Sequence, residues 1–143
     1  MPSEPPRSRR IAARADPAML ERAARELAAF AAEERLADDE LARLDLALGE
    51  VLANVVAHAR PVGDAEGVAV DLTLSASPDA VLVTVEDRAT VAAVDLAAVS
   101  MPAEDAESGR GLALALAVLN GFSHEEREGG GNRWTLRLRR RRG

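Results

Sequence analysis

Glu50, Asn54 and His58 stand four residues apart in the stretch LDLALGEVLANVVAHARP, which is otherwise built mainly from leucine, valine and alanine. Residues at that spacing share one face of a helix. A carboxylate and an amide oxygen one turn apart are oxygen ligands within reach of one hard cation. Taking Leu44 as zero on a wheel that turns ~100° per residue, Leu48, Leu52 and Val55 fall within ~80° and make a core stripe. Glu50, Asn54 and His58 fall at ~240°, ~280° and ~320°, along the border of that stripe. Gly49 beside them costs ~1 kcal/mol relative to alanine in a helix interior, and is tolerated where something packs close. On spacing alone, such a polar stripe is more often a solvated helix face than a site. His58 also suits a helix C-terminus through the dipole.

Two further segments carry chemistry. In VLVTVEDRAT the alternation places Asp87 in the row of Val81, Val83 and Val85, on the buried side of a strand. A carboxylate at the end of an apolar row needs a donor, and a ligand amino group would serve. The bland alternative is that Asp87 caps its strand or pairs with an arginine such as Arg88. In ESGRGLALA, Ser108, Gly109, Arg110 and Gly111 lead directly into a helix. Glycine lets the backbone approach an anion, the helix N-terminus offers free N–H groups, and Arg110 adds a bidentate charge. A lone glycine pair of this kind is more often just a helix entry.

The elements that must position these residues follow from pattern. RSRRIAARA reads as a short edge strand. Asp16 at the N-cap and Pro17 at the first helical position open a helix with Leu20, Ala24, Leu27 and Ala31 on one face. DDE opens a second helix, capped by Asp38 or Asp39 and running to about Ala59. Val68, Val70, Leu72 and Leu74 alternate with polar residues in one strand, and Val81, Val83 and Val85 in the next, making a hairpin around SPDA. Residues 88–108 form a long loop, of a length that is usually functional or mobile. GLALALAVLNGF reads as a third helix ended by Gly121. FSHEERE and RWTLRLR close a second hairpin across GGGN, with His124 on its surface. The order β-α-α-β-β-loop-α-β-β describes an α+β two-layer sandwich, its sheet mixed but mostly antiparallel, with the helices on one face. The expected limits are an unstructured start at 1–7, one domain over 8–140, and a solvated basic tail at 141–143.

Composition narrows the function. The chain has 143 residues, 48% of them hydrophobic, which fits one domain with a sizeable core. The net charge is −6 and aromatics are 2%, so general nucleic-acid binding and base-stacking platforms are not expected. All 18 basic residues are arginine. A P-loop lysine, a Schiff-base lysine and a kinase strand lysine are therefore excluded, and any phosphate chemistry rests on arginine, backbone N–H groups and a metal ion. There is no cysteine, no apolar stretch behind MPSEPPRSRR that could serve as a signal peptide, and no apolar run of the ~18 residues a membrane span needs. A cytoplasmic protein without membrane contact is the expectation. No serine–histidine–acid set stands at suggestive spacing, and two histidines do not make a histidine-rich metal site.

LALGEVLANVVAHA, SGRGLALA and EGGGNRWTLRL, in that order, resemble motifs of the anti-sigma-factor serine kinases. That family lies in the ATPase superfamily shared by gyrase, histidine kinases and heat-shock chaperones. The resemblance covers about residues 8–140. It implies the histidine-kinase-like ATPase fold, with ATP and Mg²⁺ as ligands. It implies that Asn54 binds a Mg²⁺ ion bridging the phosphates, and that Glu50 acts as general base on a partner's serine or orients that nucleophile. Asp87 would accept from the adenine amino group. Ser108, Gly109, Arg110 and Gly111 would hold the phosphates at the end of a lid, residues 88–107. The implied partners are a sigma factor and an anti-anti-sigma protein whose serine is phosphorylated. A homodimer is also implied, with the N-terminal edge strand permitting it.

The pattern departs from the family at DRATV, where Ala89 and Val91 stand in place of glycines, and at Asn132, which stands where the family has threonine. Two other readings therefore stay open. One is the same fold used as a nucleotide-independent protein-binding module. The other is a detached histidine-kinase catalytic domain acting on a separate dimerisation domain, although no phosphoacceptor-like segment is present.

Overall fold

The computed structural model describes residues 7–58, 68–88 and 107–141. The remainder of the expected 88–107 lid, and the substituted stretch Ala89–Val91, lie outside them. The elements are β1 (Arg7–Arg14), α1 (Pro17–Glu34), α2 (Asp38–His58), β2 (Ala69–Ala76), β3 (Ala80–Asp87), α3 (Glu107–Val118), β4 (Gly121–Glu126) and β5 (Asn132–Arg139). The five strands form one sheet in the order β1-β2-β3-β5-β4. Every neighbouring pair is antiparallel, so among the described strands the sheet is antiparallel throughout. β1 is an edge strand, as its sequence suggests. β5 is inserted between β3 and β4, which sets the last hairpin beside the middle one.

The apolar rows read from the sequence are the core. Val70, Leu72 and Leu74 of β2, Val81, Val83 and Val85 of β3, and Trp134, Leu136 and Leu138 of β5 are buried on the same sheet face. The stripe Leu44, Leu48, Leu52 and Val55 of α2 is buried with them, together with Ala47 and Val51. α2 packs on β5 and lies between α1 and α3. Fully burying each large aliphatic side chain contributes about 1.5–3 kcal/mol, and truncating one such as Leu44 or Leu136 to alanine costs about 2–5 kcal/mol.

Three local expectations are corrected. On α1 the buried face is Met19, Ala23, Leu27, Phe30 and Ala31. Leu20 is half-buried and Ala24 is exposed. Met19 and Phe30 are the large side chains, and they turn the helix; an alanine buries too little surface to compete. The cap of α1 is as expected, with Asp16 accepting from the Met19 N–H at 3.0 Å. α2, however, is not capped by Asp38 or Asp39, which lie in its first turn. The buried Glu40 carboxylate reaches back to the Ala37 N–H at 2.8 Å, the reciprocal half of a capping box. α3 begins at Glu107 and ends at Val118, so Gly121 opens β4 instead of closing the helix.

The C-terminal arginines are not a free tail from their start. The Arg140 guanidinium donates to the carbonyls of Ser77 (3.0 Å) and Glu34 (2.6 Å). The Arg141 N–H donates to Glu40 at 2.9 Å, and its guanidinium pairs with Asp39. These bonds tie the end of β5 to the turn between α1 and α2.

Candidate functional site

Glu50 and Asn54 lie on the middle turns of α2, both half-buried, at the edge of the buried stripe. Among the described residues no hydrogen bond or ion pair engages either side chain. Two polar groups one turn apart, beside a packed core and not used by it, remain available to a ligand. His58 closes α2; the placement of its side chain lies outside the described residues. Among the described residues no atom lies within 4 Å of where a Cβ on Gly49 would stand, so close packing by them does not account for it.

Asp87 ends β3 and is 2% exposed, in the same row as Val81, Val83 and Val85. A donor to its carboxylate stands on the facing strand. Asp87 and Asn132 are register partners across β3 and β5. The Asn132 Nδ2 donates to Asp87 Oδ1 at 2.9 Å, and both residues are buried. The amide continues to His124, whose Nε2 lies 2.8 Å from Asn132 Oδ1. The His124 ring rests on Trp134 with centroids 4.3 Å apart, and the Phe122 ring lies 6.1 Å from the same tryptophan. His124 is thus half-buried within a polar chain, and its expected surface position is corrected.

The main chain of Asp87 is fixed as well. Gly131, at φ +103°, lies against it, and a Cβ there would overlap the Asp87 carbonyl oxygen. The Arg127 guanidinium donates to the same carbonyl at 3.3 Å. Its Nε meets Glu86 at 3.1 Å, and Glu86 also meets Arg133 at 3.3 Å. Arg133 in turn meets Glu125 at 3.2 Å. Its guanidinium pKa is raised above the ordinary value, first by the hydrogen bond it donates to Glu125 and then by the one it donates to Glu86. These charges lie on the sheet face away from the helices, since Glu86 alternates with Asp87. The end of β3 is therefore held from both faces of the sheet.

Ser108, Gly109, Arg110 and Gly111 form the first turn of α3 and not a loop before it. This still places the Ser108 and Gly109 N–H groups at a helix N-terminus, where an anion is favoured. α3 packs against α2, with Leu112 and Ala115 buried in the core.

Reading by sequence alone missed His124 and the partner of Asp87. The signal was present in the β4–β5 hairpin. Asn132 continues the row Trp134, Leu136 and Leu138, and a polar residue that ends a buried row faces whatever ends the neighbouring one.

No helix among the described residues is long and apolar enough to cross a membrane. Among curated proteins, none matches the chain. Among solved structures, the chain is similar to the RsbU and RsbW domains of Rv1364c from Mycobacterium tuberculosis, with a TM-score of 0.67 and 22% identity. That match covers 96% of this chain and 33% of the other, so the chain spans about a third of that protein's length. A family model described as the histidine kinase-like ATPase domain matches residues 13–138. With that match over most of its length and the antiparallel sheet under three helices, the chain belongs to the histidine kinase-like ATPase domain family.

Proposed function

We propose that this chain is an anti-sigma factor with ATP-dependent serine kinase activity, which releases its sigma factor by partner switching with an anti-anti-sigma protein. The observation that carries the reading is the Asp87 carboxylate, buried at the end of an apolar row and braced through side chain and main chain alike. Such a group suits recognition of a purine amino group, and Glu50 and Asn54 on α2 are half-buried side chains that engage no described partner. The likeness to a chain that contains an RsbW domain supports the same direction.

In this reading Asp87 accepts from the adenine amino group. The N-terminal turn of α3, Ser108 to Gly111, receives the phosphates. Among the described residues no group of three or more histidine or acidic side chains could hold a metal. The donor set fits magnesium, which takes one or two protein oxygens and completes its shell with phosphates and water; Asn54 would be that protein ligand. When bound, the ion supplies charge neutralisation at the phosphates. Glu50 takes the proton from a partner serine as its oxygen bonds to the γ-phosphorus and the bond to the β-phosphate oxygen breaks, leaving ADP.

Incubation with radiolabelled ATP, magnesium and a candidate anti-anti-sigma protein tests this. Labelled phosphoserine should form on the partner, and Glu50→Gln should slow it by about 10²–10⁴-fold. If no phosphoserine forms with any candidate partner, the kinase reading is wrong. A second reading, the same fold as a nucleotide-independent binding module, is favoured by Ala89 and Val91 in place of the family's glycines. It requires that ATP and ADP leave the protein's partner binding unchanged.

A further inference from the structure

The buried chain Asp87–Asn132–His124 has a direction that chemistry fixes. A carboxylate has no hydrogen to give, so the 2.9 Å contact is the Asn132 NH₂ donating to Asp87. That leaves the Asn132 carbonyl oxygen towards His124, 2.8 Å away. An amide oxygen only accepts, so His124 Nε2 carries the hydrogen. The Asp87 carboxylate thereby selects the tautomer of an imidazole two strands away, and that imidazole in turn holds the amide oxygen. Without His124 the Asn132 oxygen, in a residue 3% exposed, would lose this 2.8 Å contact, and removing a partner from a buried polar atom is costly. Packing on Trp134 needs only a flat or apolar side chain at 124; the donor at Nε2 is what histidine adds.

The main chain of Asp87 is already fixed by Gly131 and Arg127. The amide chain acts on the carboxylate instead, through the 2.9 Å contact from Asn132. We propose that His124 is a positioning residue for nucleobase recognition: through Asn132 it holds the Asp87 carboxylate in the orientation that receives a purine 6-amino group, and so sets the preference for adenine over hypoxanthine. This rests on the reading of Asp87 as the base-binding carboxylate given above.

The test compares the intact wild type, His124→Gln and His124→Leu in calorimetric titrations with ADP and IDP, both with magnesium. Hypoxanthine has an oxygen at position 6 and cannot donate to Asp87, so IDP serves as the control for folding and for phosphate binding. Glutamine retains an N–H donor at comparable reach; leucine does not. Wild type and His124→Gln are expected to prefer ADP. His124→Leu is expected to lose about tenfold in ADP affinity, the effect of one hydrogen bond, with IDP unchanged. Equal losses for both nucleotides, or a glutamine variant as impaired as the leucine one, overturn the inference while leaving the nucleotide site in place. A wild type that binds neither nucleotide overturns the functional reading and this inference with it. Nitrogen NMR of the nucleotide-free protein checks the chain itself: a His124 that carries its hydrogen on Nδ1 alone also overturns the inference.

Discussion

Gly131→Ala and Gly130→Ala form a pair that isolates the brace on Asp87. The two glycines have nearly the same backbone, φ +103° and +104°. An alanine at either position adopts a conformation that L-residues avoid, at about 1–3 kcal/mol. Beyond that the sites differ. At Gly130 no atom lies within 4 Å of the added Cβ. At Gly131 the Cβ overlaps the Asp87 carbonyl oxygen and comes within 3.0 Å of Arg88 Cα and 3.1 Å of the Asp87 carbonyl carbon. All three are backbone atoms of the strand end, and none can swing aside as a side chain would. Overpacking of this kind costs about 1–3 kcal/mol. The conformational cost cancels in the comparison, so Gly131→Ala should be the less stable by about 1–3 kcal/mol. For a chain of this size roughly 4 °C accompanies each kcal/mol, so the melting temperatures should differ by about 4–12 °C. Circular dichroism gives the melting curves, and the fluorescence of Trp134, the single tryptophan, gives a second probe beside the site. Because relief comes only by moving the hairpin off β3, Gly131→Ala should also weaken ADP binding more than Gly130→Ala does. Coincident melting curves for the two variants would refute the claim that Gly131 braces Asp87.

Two other perturbations separate site from scaffold. Asn54→Ala removes a half-buried side chain that engages no described partner, so stability should stay within about 0.5 kcal/mol while the magnesium dependence of nucleotide binding disappears; a large fall in melting temperature would instead mark Asn54 as structural. Glu40→Gln keeps one acceptor where the buried carboxylate had two, facing the Ala37 and Arg141 N–H groups. One donor is stranded at a cost of about 1–3 kcal/mol, which a urea titration should record as a lower midpoint with an unchanged slope.

Most of the fold was legible because two periodicities are clean in this sequence. The alternation of Val70, Leu72 and Leu74 and of Val81, Val83 and Val85 fixed both faces of the middle hairpin, and it placed Asp87 on the buried one. The 3.6-residue stripe from Leu44 to Val55 fixed α2 and left Glu50 and Asn54 at its edge. Where alanines dominate, as around Ala24, the wheel has little contrast and the face is set by Met19 and Phe30. Helix ends were the weaker part. The cap of α2 is made by Glu40, three residues inside, whose second oxygen is held by Arg141 from the far end of the chain. The partner of Asp87 was hidden for the same reason: the β3–β5 register that sets Asn132 opposite Asp87 joins residues 45 apart. The placement of Ser108 to Gly111 inside α3 shows a limit of glycine as a marker, since two glycines at a helix start read equally well as a loop.

The most direct measurement is a calorimetric titration of the wild type and Asp87→Asn with ATP, with magnesium and with the metal chelated. Micromolar binding to the wild type is expected, weaker without magnesium and lost in Asp87→Asn, whose melting behaviour shows it folded. Absence of heat from the wild type in the presence of magnesium, or equal affinity in the two proteins, would contradict it.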